Sequence, residues 1–326
     1  MIAIITNKDD SHADHVIEYL NRQEQAVFRI NTEDIGTRYR TTINLSEDGG
    51  WVGHLTDETG RQLDLYKLRV VWFRKPSFEF ELGRAFEPEV GRFVRAELKS
   101  LIETIYALPH IIWINNPFAS NCAKSKFQQL ILAQKLGLQV PKTLITNDAK
   151  EAGKFFQECK EKVLIKAIYN ANITLNGMNR GIPSAIVDSE RFCKFADSIS
   201  ICPVHLQEYI EKDFELRVTV IKNKVMAVRI DSQLHEQTKV DWRMFTELNP
   251  HSIYQLPEQI QDICRDFLRR QNLLFGAMDF IVTPQGKYVF LENNPFGQYL
   301  WLEVETGLPL TMEMANLLIE LSGSEE

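Results

Sequence analysis

The chain has 326 residues, with 37 basic against 44 acidic side chains for a formal charge of −7, and 44% hydrophobic residues. That balance excludes a disordered or collagen-like chain, and the acidic excess argues against a nucleic-acid partner, which needs a concentrated basic surface. No run approaches the roughly 18 apolar residues that cross a bilayer, and MIAIITNKDD is too short and too soon charged for a signal peptide. A cytoplasmic protein with no membrane partner is expected, built as two domains or one several-lobed enzyme at roughly 150 residues per domain.

The predicted elements begin as strand–helix–strand: IAIIT (2–6), HADHVIEYLNRQ (12–23) and AVFRI (26–30), a βαβ opening. Short strands follow at TTINL (41–45), WVGHL (51–55) and LRVVWF (68–73), then a long helix from about Glu87 to Ala107. The strand IIWIN (111–115) ends at Asn116-Pro117, a plausible domain boundary. A helix from Lys124 closes at Gly137, and KTLIT (142–146), a helix 148–160 and VLIKAI (163–168) follow. The polar segment 169–181 reads as a mobile loop, and SAIVD (184–188), a helix 189–199 and VHLQEYI (204–210) come next. The last third holds the hairpin ELRVTVIKNKVMAVRI (215–230), a helix 257–272, the hairpin GAMDFIVTPQGKYVFLENN (276–294) and a helix around 309–321. The fold class expected is α/β with α+β lobes.

Cys122, Cys159, Cys193, Cys202 and Cys264 are scattered without C-x-x-C, so they read as small buried hydrophobes rather than a zinc site or disulfide framework. His12 and His15, three residues apart on a helix, lack a third ligand nearby, and an exposed helix start is the better reading.

The last hairpin carries the strongest chemical signal. With a two-residue loop Gln285-Gly286, Asp279 lies opposite Glu292, and period-two alternation puts Asn294 on the same face as Glu292. Like charges so placed need a cation, and hard oxygen ligands on rigid strands suit Mg²⁺ with substrate phosphates. The alternative is a solvent-facing acidic pair, against which stand the apolar flanks Phe280, Ile281, Val289, Phe290 and Leu291.

Cations lie upstream. Lys166 sits mid-strand among apolar neighbours, where an ammonium needs an anion unless it snorkels from an edge; Lys126 starts a helix and, taken alone, reads first as a solvated surface lysine. Arg217 and Arg229 lie among β-branched residues in the 215–230 hairpin, and such arginines clamp phosphate or carboxylate through the bidentate fork. A three-residue turn Lys222-Asn223-Lys224 makes them oppose each other, whereas a two-residue turn sends them to opposite faces; Arg217 is preferred as the site residue. Arg243, in VDWRMF, is a second clamp or a surface charge.

These residues, in this order, resemble the ATP-grasp superfamily, and more closely its peptide ligases that make microviridin-type ω-ester or ω-amide peptides, the graspetide macrocyclases. The resemblance is carried by VVWFRKP (70–76), LQEYIEKDFELRVTV (206–220), IDSQ (230–233) with VDWR (240–243), and GAMDFIVTPQGKYVFLENNPFGQYLWLE (276–303), and covers nearly the whole chain. It implies an ATP-grasp fold with an N-terminal pre-ATP-grasp βαβ domain (1–116), a central lobe (117–210) and a C-terminal lobe (211–326). It implies ATP and Mg²⁺ as cofactors, with Lys126 and Lys166 on the phosphates and adenine side. Gln207, Glu208, Tyr209 and Ile210 would line the adenine hinge, Glu215 and Leu291 would complete the nucleotide site, and Asp279, Glu292 and Asn294 would hold the metal. Arg217, Arg243 and Lys166 would be catalytic, and Asn176, Gly177 and Arg180 would belong to the phosphate loop, which departs from the superfamily in being only modestly glycine-rich. The implied partner is a precursor peptide, its leader met around Asp188 and Glu190 and its core rich in Thr/Ser and Asp/Glu. The implied reaction activates an Asp or Glu side chain as an acyl phosphate, which a Ser/Thr hydroxyl or Lys amine of the same peptide attacks. A ligase adding a free amino acid, of the ribosomal-protein glutamate ligase type, and a non-catalytic nucleotide-binding scaffold are the alternatives. Related ligases are often dimers, so the resemblance also implies a homodimer.

Overall fold

The computed structural model describes residues 1–45, 47, 49–168, 172–175, 178–243 and 249–323. The chain opens with β1 (Ile2–Thr6), α1 (Ser11–Arg22) and β2 (Val27–Asn31), then a meander of β3 (Arg40–Leu45), β4 (Trp51–Thr56) and β5 (Gln62–Asp64). β6 (Val70–Phe73), α2 (Pro88–Tyr106) and β7 (Ile112–Ile114) complete a parallel sheet of order β2-β1-β6-β7. Its inner strands β1 and β6 are buried along their whole length, as parallel strands covered on both faces must be.

Asn116-Pro117 starts a helix. In α3 (Pro117–Ala123) the Asn116 side chain accepts from the Phe118 and Ala119 N–H groups, and proline occupies the first turn, where its missing N–H costs nothing. Next come α4 (Lys126–Lys135), β8 (Thr143–Thr146), α5 (Ala149–Glu158) and β9 (Val163–Lys166). The segment expected to be a mobile loop forms a hairpin of β10 (Asn172–Leu175) and β11 (Met178–Gly181); Asn176 and Gly177 lie outside the described residues, and Arg180 is in β11. Its alternating Ile173, Leu175 and Met178 supply the strand signal that the surrounding asparagines obscure. β12 (Ala185–Val187), α6 (Ser189–Phe195) and β13 (Val204–Glu208) finish an antiparallel sheet of order β12-β9-β13-β8.

The third large sheet, β16-β15-β14-β17-β18, is built from β14 (Phe214–Ile221), β15 (Lys224–Ile230), β16 (His251–Tyr254), β17 (Phe275–Val282) and β18 (Tyr288–Asn294), with α7 (Glu258–Arg270) before β17. Every residue of β14 and β17 is buried. Alternation divides them by chemistry. Leu216, Val218, Val220, Met278 and Phe280 join Cys264, Phe267 and Leu268 of α7 in one apolar core, while the odd-numbered Glu215, Arg217 and Asp279 belong to the opposite face.

α8 (Leu300–Thr306) and α9 (Leu310–Gly323) close the chain, and α9 returns to the first sheet: Leu310, Met314 and Leu318 share a core with Ile2, Ile4, Val16, Leu20 and Trp72. Beneath it runs a polar joint. Asn115 donates to the Phe275 and Pro295 carbonyls (2.8 and 3.1 Å) and accepts from the Leu274 and Phe275 N–H groups (2.7 and 2.9 Å). His12, expected at an exposed helix start, is buried instead, its Nε2 accepting from the Tyr299 and Leu300 N–H groups at 2.9 and 3.0 Å. The need to satisfy the α8 N-terminus, invisible in local spacing, draws it in. Asp10 lies beside it; burial favours the neutral acid, yet His12, Arg74 and Thr6 hold its carboxyl down to about 2. The expectation of buried cysteines holds for Cys159 and Cys264 and fails for Cys122, Cys193 and Cys202, which are exposed.

Candidate functional site

Between the β12-β9-β13-β8 and β16-β15-β14-β17-β18 sheets lies a cavity walled by Lys126, Lys166, Gln207, Glu208, Tyr209, Ile210, Glu215, Arg243, Asp279, Leu291 and Glu292. Nearly all of the residues singled out for nucleotide chemistry thus come from five separate stretches of chain to one place.

The acids meet through a register that differs from the expected one. Near the turn, Val282 pairs with Tyr288 and Ile281 with Val289, so the loop is the three residues Pro284-Gln285-Gly286. Gly286 takes φ +74°, the left-handed conformation that three-residue hairpin loops require. A β-bulge then shifts the pairing between Asp279 and Phe280, and beyond it Asp279 faces Glu292 and Ala277 faces Asn294. The bulge inserts one residue on β18, so that two consecutive side chains, Leu291 and Glu292, reach the cavity wall while Phe290 stays in the core.

Arg217 pairs with Asp279 across β14 and β17, its Nη1 donating to Oδ1 at 2.8 Å and its Nη2 to the Gln298 carbonyl at 3.3 Å. Glu292 is met by Lys126 Nζ at 3.4 Å and Arg243 Nη1 at 3.4 Å. Burial would push Glu292 toward its neutral form, but Lys126, Arg243 and Lys166 hold its carboxyl below the usual range. Arg243 is aimed by Asp241, whose two oxygens receive its Nε and Nη2 at 2.8 and 2.9 Å. Lys166 donates to Gln207 Oε1. Burial, with Lys126 and Arg243 adding like charge against Glu292, lowers its ammonium to about 8. Glu215 is raised by burial and countered by Lys212, 2.7 Å away.

Asn294 is not in the cavity wall; it is exposed, and its Oδ1 accepts from the Phe296 N–H at 2.9 Å. Arg229 leaves the site because the β14–β15 turn is the two-residue Lys222-Asn223: its guanidinium lies over the Phe214 ring and pairs with Asp231. Asp188 and Glu190 stand at the N-terminus of α6, outside the cavity: Asp188, just before the helix, caps it by accepting from the Arg191 N–H, and Glu190 in its first turn pairs with Lys194. Among the described residues no group of three His, Cys, Asp or Glu side chains stands ready for a metal.

Three neighbours of the site escaped the sequence reading. His205 pairs with Lys166 across β13 and β9; burial, then Lys166 and Lys126, push its imidazole down to about 4, so it is neutral. Asp241 orients Arg243, a role signalled only by their two-residue spacing in D-W-R. Gly297 has no room for a side chain: a Cβ there would sit 2.2 Å from Ala277 Cβ and 2.9 Å from Arg217 Nη2.

Residues 1–120 match the family model of the MvdD pre-ATP grasp domain. Over the whole chain the structure is similar to a Chryseobacterium gregarium RiPP-associated ATP-grasp ligase solved with ADP and a leader and core peptide (26% identity, TM-score 0.88, covering 98% of this chain and 96% of that one). It is also similar to the macrocyclase MdnC of Microcystis aeruginosa bound with its precursor peptide MdnA (26%, 0.86, 98% and 99%) and to the macrocyclase MdnB of the same organism (25%, 0.79, 98% and 98%). No curated protein matches in sequence. The likeness over the whole chain and the N-terminal match give the chain an ATP-grasp fold with an N-terminal pre-ATP-grasp domain. Within that class the chain resembles the microviridin-type peptide ligases. Among the described residues no helix is long and apolar enough to cross a membrane.

Proposed function

We propose that the chain is an ADP-forming carboxylate ligase that cross-links side chains of a ribosomally made precursor peptide into macrocycles. The observation carrying this reading is the convergence of Asp279, Glu292, Lys126, Lys166 and Arg243 on one cavity, with Arg217, itself outside the cavity wall, bonded to Asp279. In it residues 1–116 serve as the pre-ATP-grasp domain, 117–210 as the central lobe and 211–326 as the C-terminal lobe.

The nucleotide lies between the two antiparallel sheets, with Gln207 to Ile210 along the base, Leu291 against its apolar face, and Lys126 and Lys166 on the phosphates. The free volume is about 90 Å³, below the roughly 300–1,000 Å³ of ordinary ligand sites, because Lys126 and Arg243 reach across to Glu292; nucleotide entry exchanges those contacts for phosphate oxygens. Asp279 and Glu292 offer the one or two carboxylates that Mg²⁺ takes from a protein, with Asn294 the third candidate ligand. Bound there, the ion supplies charge neutralisation for the transferring phosphoryl group.

A peptide Asp or Glu oxygen attacks the γ-phosphorus, the bond to the β-phosphate oxygen breaks and ADP leaves. A Ser/Thr hydroxyl or Lys amine then attacks the acyl carbon, the bond to phosphate breaks, and the nucleophile's proton leaves with the phosphate or to solvent. Arg217 and Arg243 face the negative charge that builds on the transferring group, and positioning with electrostatics supplies the rate. The leader is read at the β12–α6 face around Asp188 and Glu190.

The test is ADP release with ATP, Mg²⁺ and an Asp/Glu- and Thr/Ser-rich precursor peptide. Release that needs both metal and peptide supports the reading; the same rate from Asp279→Asn or Glu292→Gln would remove the assignment of the acids.

A further inference from the structure

The motif Phe73-Arg74-Lys75-Pro76 is left over by the nucleotide chemistry. Arg74 is buried and donates from Nη1 to the Phe296 carbonyl at 2.7 Å. On either side of it, Phe73 and Lys75 open onto a groove of about 500 Å³ between α2, α3 and the segment after β18. Lys75, Lys99 and Lys124 stand in its wall against a single acid, Glu103, which pairs with Lys99 at 3.7 Å. Three lysines against one glutamate make a local excess of positive charge on a chain whose net charge is −7. Phe296 forms part of the floor, with the Lys124 ammonium 5.0 Å over its ring. Tyr106 also lines the groove; it is 6% exposed and its hydroxyl makes no hydrogen bond. A buried hydroxyl without a partner is costly unless a ligand completes it, and burial, then Glu103, keeps it protonated, hence a donor.

The groove is continuous with the acid site along the chain. Lys124 is two residues from Lys126, and Phe296 four from Glu292, which bounds the backbone separations at about 7 and 14 Å. The groove and the acid site are therefore near neighbours in the fold, within reach of one extended peptide.

We propose that this groove is the binding site for the acidic core stretch of the substrate peptide, holding carboxylate side chains that wait while an adjacent one reacts. Lys75, Lys99 and Lys124 meet the carboxylates, Tyr106 donates to one of them, and Phe73, Phe118 and Phe296 cover the apolar remainder. The proposal rests on the reading of the substrate as an acidic peptide.

The test measures anisotropy of a fluorescein-labelled peptide rich in Thr, Asp and Glu, and of its Asn/Gln counterpart, with the full chain and no nucleotide. The acidic peptide should bind about tenfold tighter than its neutral counterpart, and Lys75→Glu/Lys99→Glu should remove that advantage. Both lysines are exposed, so the variant folds, and Lys75→Gln/Lys99→Gln should give a smaller loss in the same direction. The charge-matched pair Lys150→Glu/Lys154→Glu on α5 should leave affinity within about twofold. Tyr106→Phe should weaken acidic-peptide binding severalfold at an unchanged unfolding midpoint. Equal losses from the two charge-reversed pairs would mean diffuse electrostatics, and no loss from either would mean binding elsewhere; each result overturns the groove. Calorimetric titration of the unsubstituted protein with ATP and Mg²⁺ tests the nucleotide reading separately, since groove binding is scored without nucleotide.

Discussion

Arg217 and Asp279 face each other across β14 and β17, bonded at 2.8 Å, and Asp279 in turn faces Glu292 across β18. One row of the sheet thus carries a buried cation, a buried acid and a second acid, with Lys126 and Arg243 closing on the far side. Breaking a buried pair costs about 3–5 kcal/mol because the survivor keeps its unpaired charge. Arg217→Met should therefore destabilise the fold by about that much, and Arg217→Met/Asp279→Leu by much less. Urea denaturation of the four proteins of the cycle checks this; additive losses would mean the pair is uncoupled.

Gly297 sets where Arg217 can stand. A methyl there collides with Ala277 Cβ and crowds the guanidinium, so Gly297→Ala should cost about 1–3 kcal/mol and slow ADP formation. Ala277→Gly in the same chain should restore part of both. A Gly297→Ala protein with unchanged melting and turnover would show that the close approach carries no weight.

The folded-state pKa of Lys166, about 8, lies below its ordinary 10.5. Between these values the unfolded chain holds a proton that the folded one does not, so this group's contribution to stability rises with pH across that window and is unfavourable below it. A phosphate beside it restores the charge. Nucleotide binding near pH 9 should then take up on the order of one proton, measurable by calorimetry in buffers of different ionisation enthalpy, and Lys166→Met should abolish the uptake. Absence of uptake in the unsubstituted protein would place the phosphates elsewhere.

Asn115 makes four hydrogen bonds that tie the end of β7 to β17 and Pro295. Asn115→Ala leaves buried donors and acceptors unpaired, for a loss of about 3 kcal/mol or more. Denaturant unfolding decides it, and a loss under about 1 kcal/mol would contradict the clasp.

Much of this was legible in the chain, for identifiable reasons. Strands with alternating or continuous apolar runs announced themselves, as did the pairing of Asp279 with Glu292. That pairing was reached through a two-residue turn that does not exist: the real loop has one residue more, and the bulge beyond Phe280 compensates for it. Bulges leave no signature in an apolar run: strict alternation sends Leu291 and Glu292 to opposite faces, and only the family resemblance, not the spacing, placed Leu291 in the nucleotide site where the bulge puts it. The opposite faces of Arg217 and Arg229 hung on one residue of turn length. His12 and Asn115 were opaque because their partners, Leu300 and Pro295, lie far off in sequence and bind through backbone groups that carry no residue identity. The exposed position of Asn294 has a similar origin, since its oxygen turns to the Phe296 N–H at the start of the following loop.

The central claim, that this chain forms bonds between side chains of one peptide at the expense of ATP, is tested most directly by the intact mass of a precursor peptide after incubation with the protein, ATP and Mg²⁺. The account predicts loss of one water from the peptide for each ADP formed. A peptide heavier by an amino-acid residue, or a peptide unchanged in mass with no ADP formed, would contradict it.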